Sequence, residues 1–356
     1  MVLPATEFVS MFKNFQILIS AILLLILNTC CVDSTTMYRR AKNLVPRLEK
    51  TQHKGQSGRV GVIGGSAEYT GAPYYAAISA LRCGADLSFV FCGESSAANP
   101  IKTYSPELIV FPSVSPYLNK TVERLTALVI GPGLGRDEHA MKETSEAIHA
   151  ARKANVPIVL DGDALWLLKD HPELIRGYTN AIITPNAMEF DRLHRAAFEN
   201  AAAPALEWLD ELSGSPAGMI LSIEHEPGLS VAKIANWLEG VTVMRKGVVD
   251  VISDGKTAAG CGAFGSARRC GGQGDVLAGS TGVFLGWVAS LNSSTPSKQQ
   301  PDVVGAAFGA SLLLRRANSI AFEKHGRSMT TPDLIHFLGA AFHNLYDDET
   351  SPWCSL

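Results

Sequence analysis

The segment Arg268–Asp275 places three glycines and a carboxylate where a helix is predicted to begin, at Val276. Backbone N–H groups at a helix N-terminus lack partners within the helix, and the helix dipole adds positive potential there, so such a turn binds anions. A carboxylate beside bound phosphate can take the proton from an attacking hydroxyl group. The segment therefore predicts a phosphoryl-transfer site with Asp275 as the general base. A capped surface helix after a flexible turn is the structural alternative.

Short β-rich runs alternate with helical patterns from residue 59 onward. This alternation predicts an α/β fold with a mostly parallel sheet between two layers of helices. Ligands of such sheets bind beyond the carboxyl ends of the strands. Glycine, aspartate or asparagine follows four of the predicted strands, at 64–66, 131–135, 161–163 and 184–186.

The glycine-rich run Gly131–Gly135 follows one predicted strand and precedes a predicted helix. Its last glycine comes one residue too early for the dinucleotide fingerprint. We interpret the run as a loop that lets a substrate approach the backbone, with a plain tight turn as the alternative. The segment Asp250–Thr257 ends like a phosphate-binding loop but begins with aspartate, so a hairpin turn at Asp254 and Gly255 is expected instead.

Charged and amide residues near other strand ends leave two interpretations open. Lys246 either reaches a nucleotide phosphate or is an ordinary surface lysine. Asn186 and Glu189 either form a capping box at a helix start or help to hold Mg²⁺ through water. Asp161 and Asp163 are either metal or substrate ligands, or part of an Asx turn.

Composition excludes several classes of function. The chain has 356 residues and a net charge of −3, without the clustered basic residues of a nucleic-acid-binding protein. Its seven cysteines include no C-x-x-C pair, which favours a reducing compartment over a disulfide framework. No H-E-x-x-H motif is present, which argues against a zinc hydrolase.

The N-terminus is unlike the rest of the chain. The apolar run Ile17–Leu27 has the length of a signal-peptide core, while a short membrane anchor and a mitochondrial presequence are alternatives. Initiation at Met37 would delete this run. We therefore expect a targeting segment at 1–36, one catalytic domain at 37–350 and a tail at 351–356.

Taken together, six motifs closely resemble the ATP-dependent NAD(P)H-hydrate dehydratases of the ribokinase-like superfamily. The similarity covers roughly residues 45–345. The motifs are 54–60, 64–66, 69–73, 131–135, 184–190 and 268–275, of which the fourth is Gly-Pro-Gly-Leu-Gly and the last is Arg-Arg-Cys-Gly-Gly-Gln-Gly-Asp.

This resemblance implies a ribokinase-like three-layer α/β/α fold and the repair of NADH or NADPH hydrated at C6 of the nicotinamide ring (NADHX, NADPHX). The hydroxyl would be phosphorylated by ATP, with Mg²⁺ as its partner, and phosphate would then be lost. Asp275 would be the base, and Gly272 and Gly274 would cradle the transferring phosphate. Direct protein ligands to a metal are not implied.

The resemblance also assigns two sets of contact residues. The ATP-contacting residues would be Lys246, Gly247, Val248, Val249, Asp250, Gly265, Ser266, Ala267, Arg268, Arg269, Cys270, Gly271, Gly272, Gln273 and Gly274. The substrate-contacting residues would be Gly133, Gly135, Asn186, Ala187, Met188, Glu189, Phe190, Asp191, Arg192 and Asp275.

Two other functions fit the same residues. A kinase of a small alcohol, such as a vitamin precursor or sugar, would use Asp275 and its glycines in the same way. A membrane-tethered nucleotide-binding protein without catalysis is the non-enzymatic alternative.

The family also implies a functional link to an NAD(P)HX epimerase and a location in mitochondria, cytoplasm or both, whereas the apolar leader favours the endoplasmic reticulum. Homo-oligomer formation is left open.

Overall fold

A computed structural model of the chain describes residues 34–204, 219–294 and 301–347. The apolar run Ile17–Leu27 and the predicted tail 351–356 lie outside the described residues. Within them, ten strands form a single sheet in the order β3-β2-β1-β4-β5-β6-β8-β9-β10-β7. The strands are β1 Arg59–Gly64, β2 Leu87–Cys92, β3 Ile109–Phe111, β4 Ala127–Ile130, β5 Ile158–Leu160, β6 Ala181–Ile183, β7 Met219–Leu221, β8 Thr242–Arg245, β9 Asp250–Ser253 and β10 Ala258–Cys261.

The strands from β3 to β8 in this order run parallel, and β9, β10 and β7 complete the sheet with antiparallel pairings. The predicted mostly parallel sheet is therefore confirmed. The hairpin predicted at Asp254 and Gly255 is also present, because β9 and β10 pair on either side of that turn. Strand β3 was not predicted, since it has only three residues and lies at the edge of the sheet with Ile109 exposed.

Helices cover both faces of the sheet. They are α1 Ser34–Leu44, α2 Gly71–Cys83, α3 Ser95–Tyr104, α4 Tyr117–Thr121, α5 Glu138–Lys153, α6 Ala164–Leu168, α7 Ala187–Ala197, α8 Gly228–Trp237, α9 Gln273–Ser294, α10 Val303–His325 and α11 Thr331–Phe342. Helix α9 begins at Gln273, three residues before the predicted start at Val276, so the last glycine of the glycine turn already belongs to the helix.

Alternate residues of the strands supply two separate hydrophobic layers. In β4, Val129 faces α1, α2 and α9–α11, whereas Leu128 and Ile130 face α5–α8. This alternation follows from the two-residue period of a strand, and it buries both faces, as a parallel sheet requires. The three-layer α/β/α architecture results from it.

Helix α9 is a core helix. Among the described residues, its stretch Gln273–Asn292 is the one helical segment long and apolar enough to cross a membrane, and most of it is buried within the fold. It packs between α2 and α10, so its N-terminus is fixed at the carboxyl ends of the central strands.

Helix α1 begins at Ser34, three residues before the predicted domain boundary at 37. Met37 and Tyr38 of this helix are buried in the core. Arg40 forms an ion pair with Asp302 at the start of α10. The segment just before the predicted boundary is therefore continuous with a helix of the catalytic domain.

Candidate active site

Three neighbouring strands bring a half-buried lysine and two carboxylates together. Lys246 follows β8, Asp161 follows β5, and Glu189 lies in the first turn of α7 after β6. Lys246 Nζ donates to Asp161 Oδ1 at 2.6 Å and lies 4.0 Å from Glu189 Oε2. The hydroxyl of Thr184 also donates to Asp161 Oδ1, at 2.7 Å. Lys246 is thus held in a network and is not an ordinary surface lysine.

Burial and charge act in opposite directions on this lysine. Burial lowers the pKa of Lys246, but Asp161 and Glu189 raise it by more, so the net direction is upward and the ammonium group stays charged. The pKa of Glu189 is raised by burial against the lowering effect of Lys246. A charged lysine here supplies positive potential at the carboxyl edge of the sheet.

Asp275 lies in the first turn of α9, facing this network. Burial, followed by the negative charge of Asp161, raises the pKa of Asp275 to about 7, while Lys246 exerts a smaller lowering effect. A base is most effective when its pKa lies near the working pH. Asp275 therefore has the protonation behaviour that a general base needs at neutral pH.

The glycine turn before Asp275 has a conformation that requires glycine at one position. Gly272 has φ of +95°, and a Cβ there would lie 2.7 Å from Cδ2 of Tyr75. The hydroxyl of Thr331 donates to the carbonyl oxygen of Gly271 at 2.5 Å and holds the turn from the side of α11. The turn is therefore clamped, and no backbone N–H group of Gly271–Gly274 has a partner among the described residues. This is the geometry of an anion site at the start of α9.

A cavity of about 700 Å³ opens beside this turn. Most of the predicted ATP-contacting residues line it, together with Asn186, Phe264 and four further residues of α9 and α10. The lining residues are Asn186, Lys246, Gly247, Val248, Asp250, Phe264, Gly265, Ser266, Ala267, Arg269, Cys270, Gln273, Gly274, Leu277, Leu314, Arg315 and Asn318. The size and the position at a helix N-terminus suit a nucleotide.

Four predicted ATP-contacting residues do not line the cavity: Val249, Arg268, Gly271 and Gly272. Val249 is buried in the core, because it is the inward residue of the turn between β8 and β9. Arg268 instead directs Nε to the carbonyl oxygen of Met329. Gly271 and Gly272 shape the turn without lining the cavity.

Arg315 is a residue of this site that the sequence did not reveal. It lies in the middle of α10, and its guanidinium group pairs with Asp250 at 3.0 Å. It also donates to the carbonyl oxygens of Val248 at 2.7 Å and of Gly247 at 2.9 Å. The carboxylate of Asp250 therefore pairs with Arg315, and it also accepts a hydrogen bond from the Ser311 hydroxyl. Asp250 and Arg315 thus fix the loop that forms one wall of the cavity.

The predicted substrate-contacting residues fall into two groups. Gly133 and Gly135 lie in the loop after β4, where a Cβ at Gly133 would be 2.8 Å from Cβ of Tyr69, and Gly135 N donates to Asp163 Oδ2. The segment 186–192 begins α7. Asn186 and Glu189 form the predicted capping box. The capping box does not conflict with a role of these two residues in holding Mg²⁺ through water.

Within the start of α7 the side chains diverge. Ala187 is exposed, and Met188 is 77% exposed. Phe190 points into the core, because it lies on the apolar face of the helix. Asp191 pairs with Arg195 on the same helix, and Arg192 contacts the ring of Trp166. The structure therefore does not bring the Phe190 side chain to the cleft.

No group of three or more His, Cys, Asp or Glu residues has metal-binding geometry in the described part of the chain. A metal ion at this site would therefore depend on ligand oxygens and water in addition to one or two carboxylates.

The sheet order and the glycine turn at α9 define the class of protein, and solved structures agree with it. A ribokinase-like superfamily protein from Enterococcus faecalis superposes with a TM-score of 0.63 at 21% identity, covering 87% of this chain and 95% of that one. An ADP/ATP-dependent NAD(P)H-hydrate dehydratase from Bacillus subtilis, co-crystallised with ATP and Mg²⁺, gives a TM-score of 0.59 at 19% identity, covering 86% and 97%. The fold is ribokinase-like.

Sequence comparison identifies the family within that class. A family model described as NAD(P)H-hydrate dehydratase matches residues 60–339. The ATP-dependent (S)-NAD(P)H-hydrate dehydratase of Homo sapiens is 44% identical over 320 residues, which cover 88% of this chain and 86% of the human protein. The chain belongs to the NAD(P)H-hydrate dehydratase family.

Proposed function

We propose that this protein uses ATP to dehydrate the S epimers of NADHX and NADPHX, returning them to NADH and NADPH. The observation that carries the proposal is Asp275, a carboxylate with a pKa raised to about 7, placed directly after a clamped glycine turn beside a nucleotide-sized cavity. The human relative carries the name of this activity, which supports the dehydratase over a small-alcohol kinase.

In the first step, Asp275 takes the proton from the C6 hydroxyl of the hydrate while the hydroxyl oxygen attacks the γ-phosphorus of ATP. The bond to the β–γ bridging oxygen breaks, and ADP leaves. Backbone N–H groups of Gly272 and Gly274 stabilise the charge on the transferring phosphoryl group. In the second step, the C6–O bond breaks, phosphate leaves, and loss of a proton from C5 forms the C5–C6 double bond.

Lys246 assists by charge rather than by proton transfer. Its ammonium group lies on the side of Asp161 that faces the start of α9, since a Cβ on Gly274 would be 3.6 Å from Lys246 Nζ. A phosphate oxygen in that space would draw Lys246 into a charge-assisted hydrogen bond. The lysine then offsets the negative charge that gathers on the leaving ADP.

The carboxylates at this edge fit Mg²⁺ as a partner of ATP. One oxygen of Asp161 is occupied by Lys246 and Thr184, whereas Oδ2 is directed toward Gly274. Glu189 lies across Lys246 from it. We expect Asp161 and Glu189 to hold a triphosphate-bound Mg²⁺ through water. When bound, the ion would neutralise charge on the β- and γ-phosphates.

The proposed specificity has a consequence for partners and location. A dehydratase that accepts one epimer leaves the other unused, so we propose a functional link to an epimerase that interconverts the two.

We also propose that the protein works in mitochondria, cytoplasm or both, where ATP and the hydrates occur. A fusion of residues 1–50 to a fluorescent reporter tests this, and an endoplasmic-reticulum pattern would overturn it.

The activity is tested with the purified chain, (S)-NADHX, Mg²⁺ and ATP, by following the near-ultraviolet absorbance of the reduced nicotinamide. We expect absorbance to return only when ATP and Mg²⁺ are both present, with ADP and phosphate as products. Consumption of ATP with a small alcohol, without any effect of the hydrate, would assign the protein to the kinases instead.

A further inference from the structure

Three cationic side chains surround the half-buried ring of Trp166. The guanidinium carbon of Arg192 lies 4.5 Å from the ring centroid, Lys169 Nζ lies at 4.8 Å, and the guanidinium carbon of Arg136 lies at 5.0 Å. Each contact is a cation–π interaction, worth roughly 0.5–1 kcal/mol at an exposed site. We call Arg136, Trp166 and Arg192 the arginine–tryptophan cluster.

The members of this cluster come from the ends of three adjacent strands. Arg136 follows the glycine loop after β4, Trp166 lies in α6 after β5, and Arg192 lies in α7 after β6. The cluster is therefore on the carboxyl edge of the sheet, where ligands of this fold bind. The cavity beside Lys246 is built instead on β8, β9, α9 and α10, so the cluster is on the other side of the site.

Two carboxylates connect the cluster to the reacting centre. Arg136 Nε donates to Asp163 Oδ1 at 2.7 Å, and Asp163 Oδ2 accepts from the backbone N–H of Gly135 in the loop after β4. Arg192 lies in the same helix, α7, as Glu189, whose Oε2 is 4.0 Å from Lys246 Nζ. The two arginines therefore lie beside the elements that carry Gly135 and Glu189, two of the predicted substrate-contacting residues.

The cations of the cluster are only partly neutralised. Lys169 pairs with Asp170 at 2.8 Å, and Arg136 uses only Nε in its contact with Asp163. In the described part of the chain, no carboxylate lies within 4.0 Å of the Arg192 guanidinium group, and this group makes no hydrogen bond there. Like charges gathered on one ring repel one another, and an anion between them would relieve that repulsion.

We propose that Arg136 and Arg192, oriented by Trp166, bind a phosphate group of the hydrated dinucleotide. Guanidinium groups match phosphate oxygens bidentately, and stacking on an aromatic ring fixes the plane of the fork before the ligand arrives. This assignment rests on the proposed function. The phosphate belongs either to the pyrophosphate, which NADHX and NADPHX share, or to the 2′-phosphate, which only NADPHX carries.

The test compares Arg136→Gln, Arg192→Gln and the double variant with the unmodified enzyme on (S)-NADHX and (S)-NADPHX. We expect KM for the hydrate to rise about tenfold or more, the usual effect of losing a hydrogen bond to a charged group. The KM for ATP and kcat should change little. Lys142→Gln removes the same charge from an exposed position of α5 and should leave both KM values unchanged.

Titration calorimetry gives a readout that does not depend on turnover. NADPH, NADH and reduced nicotinamide riboside are the probes, since the last carries no phosphate. A loss of affinity in the variants for NADPH alone assigns the 2′-phosphate, a loss for NADPH and NADH but not the riboside assigns the pyrophosphate, and an equal loss for all three would overturn a phosphate contact.

The outcomes separate this proposal from the function on which it rests. An unmodified enzyme that returns neither hydrate to its reduced cofactor would contradict the proposed function. An active unmodified enzyme whose arginine variants keep unchanged KM values and affinities would overturn the arginine–tryptophan cluster as a phosphate site. A fall in kcat with KM unchanged would overturn it as well.

Discussion

Lys246 Nζ and Asp161 Oδ1 are 2.6 Å apart, and the first turn of α9 begins directly against this pair. A methyl group at Gly274 would lie 3.6 Å from Lys246 Nζ and 3.9 Å from Asp161 Oδ2, in ordinary contact with both. A phosphate that binds at the start of α9 therefore meets an ammonium group and bare amides at once. The Lys246–Asp161 ion pair and the glycine turn form one binding surface for negative charge.

Replacement of the proposed base should remove turnover without removing nucleotide binding. Asp275→Asn keeps the size of the side chain but cannot accept the hydroxyl proton, so we expect kcat to fall by about 10²- to 10⁴-fold. The Kd for ATP, measured by calorimetry, should stay within a small factor of the original. Full activity in this variant would show that another group accepts the proton.

The pH dependence of kcat/KM should follow the ionisation of Asp275. Since the pKa of Asp275 is raised to about 7, activity should rise with pH to a plateau above that value. Asp161→Asn removes a negative charge that raises this pKa, so the rise should move to lower pH. Glu146→Gln, at an exposed position of α5, is the matched control. A profile that moves upward, or not at all, in Asp161→Asn would contradict this assignment.

The same ionisation should make stability fall as activity rises. The folded-state pKa of Asp275 lies above its unfolded value of 3.8, so the folded chain binds more protons between these values. The stability that the folded chain gains from this group is therefore fully present below about pH 4, and it is lost as the pH rises through about 7. Asp275→Asn should raise Tm at pH 8 more than at pH 5, measured by calorimetry. An equal change at both values would mean that Asp275 titrates normally.

Two adjacent glycines of the turn should differ in their tolerance of alanine. Gly272→Ala introduces a Cβ 2.7 Å from Tyr75 in a left-handed conformation, so we expect a loss of about 1–3 kcal/mol in the free energy of unfolding. Gly271→Ala meets nothing within 4 Å and should be close to neutral for stability. Urea denaturation of the two variants makes the comparison, and equal losses would show that the turn is not clamped.

Arg315 should be needed for the loop that walls the nucleotide cavity. Arg315→Met leaves Asp250 buried without its cation, and breaking such a pair from one side costs about 3–5 kcal/mol. We expect a lower free energy of unfolding and a higher KM for ATP. The double variant Arg315→Met with Asp250→Asn should recover part of the stability, because the uncompensated charge is gone. No recovery would mean that the hydrogen bonds to Gly247 and Val248 carry the effect.

The sequence predicted the parts of the site that local patterns encode. Asp275 and its glycines form one continuous segment, so the sequence shows their types and their spacing directly. Asp161 and Lys246 each follow an apolar strand, which places them at the carboxyl edge of the sheet. Arg315 gave no such signal, since it lies within a helix and acts through contacts 52 or more residues away. Trp166 was missed for a similar reason, because its role depends on arginines that follow two other strands.

The burial of Met37 limits how the N-terminal segment can be processed. This residue is 1% exposed inside a helix that begins at Ser34. A polypeptide whose synthesis started at Met37 would carry a charged α-amine in that buried turn, where an unpaired charge is costly. A protease that cut before Ser34 would leave all the described residues of this helix in place. An internal start at Met37 would therefore remove the first three residues of a helix whose next two side chains pack in the core.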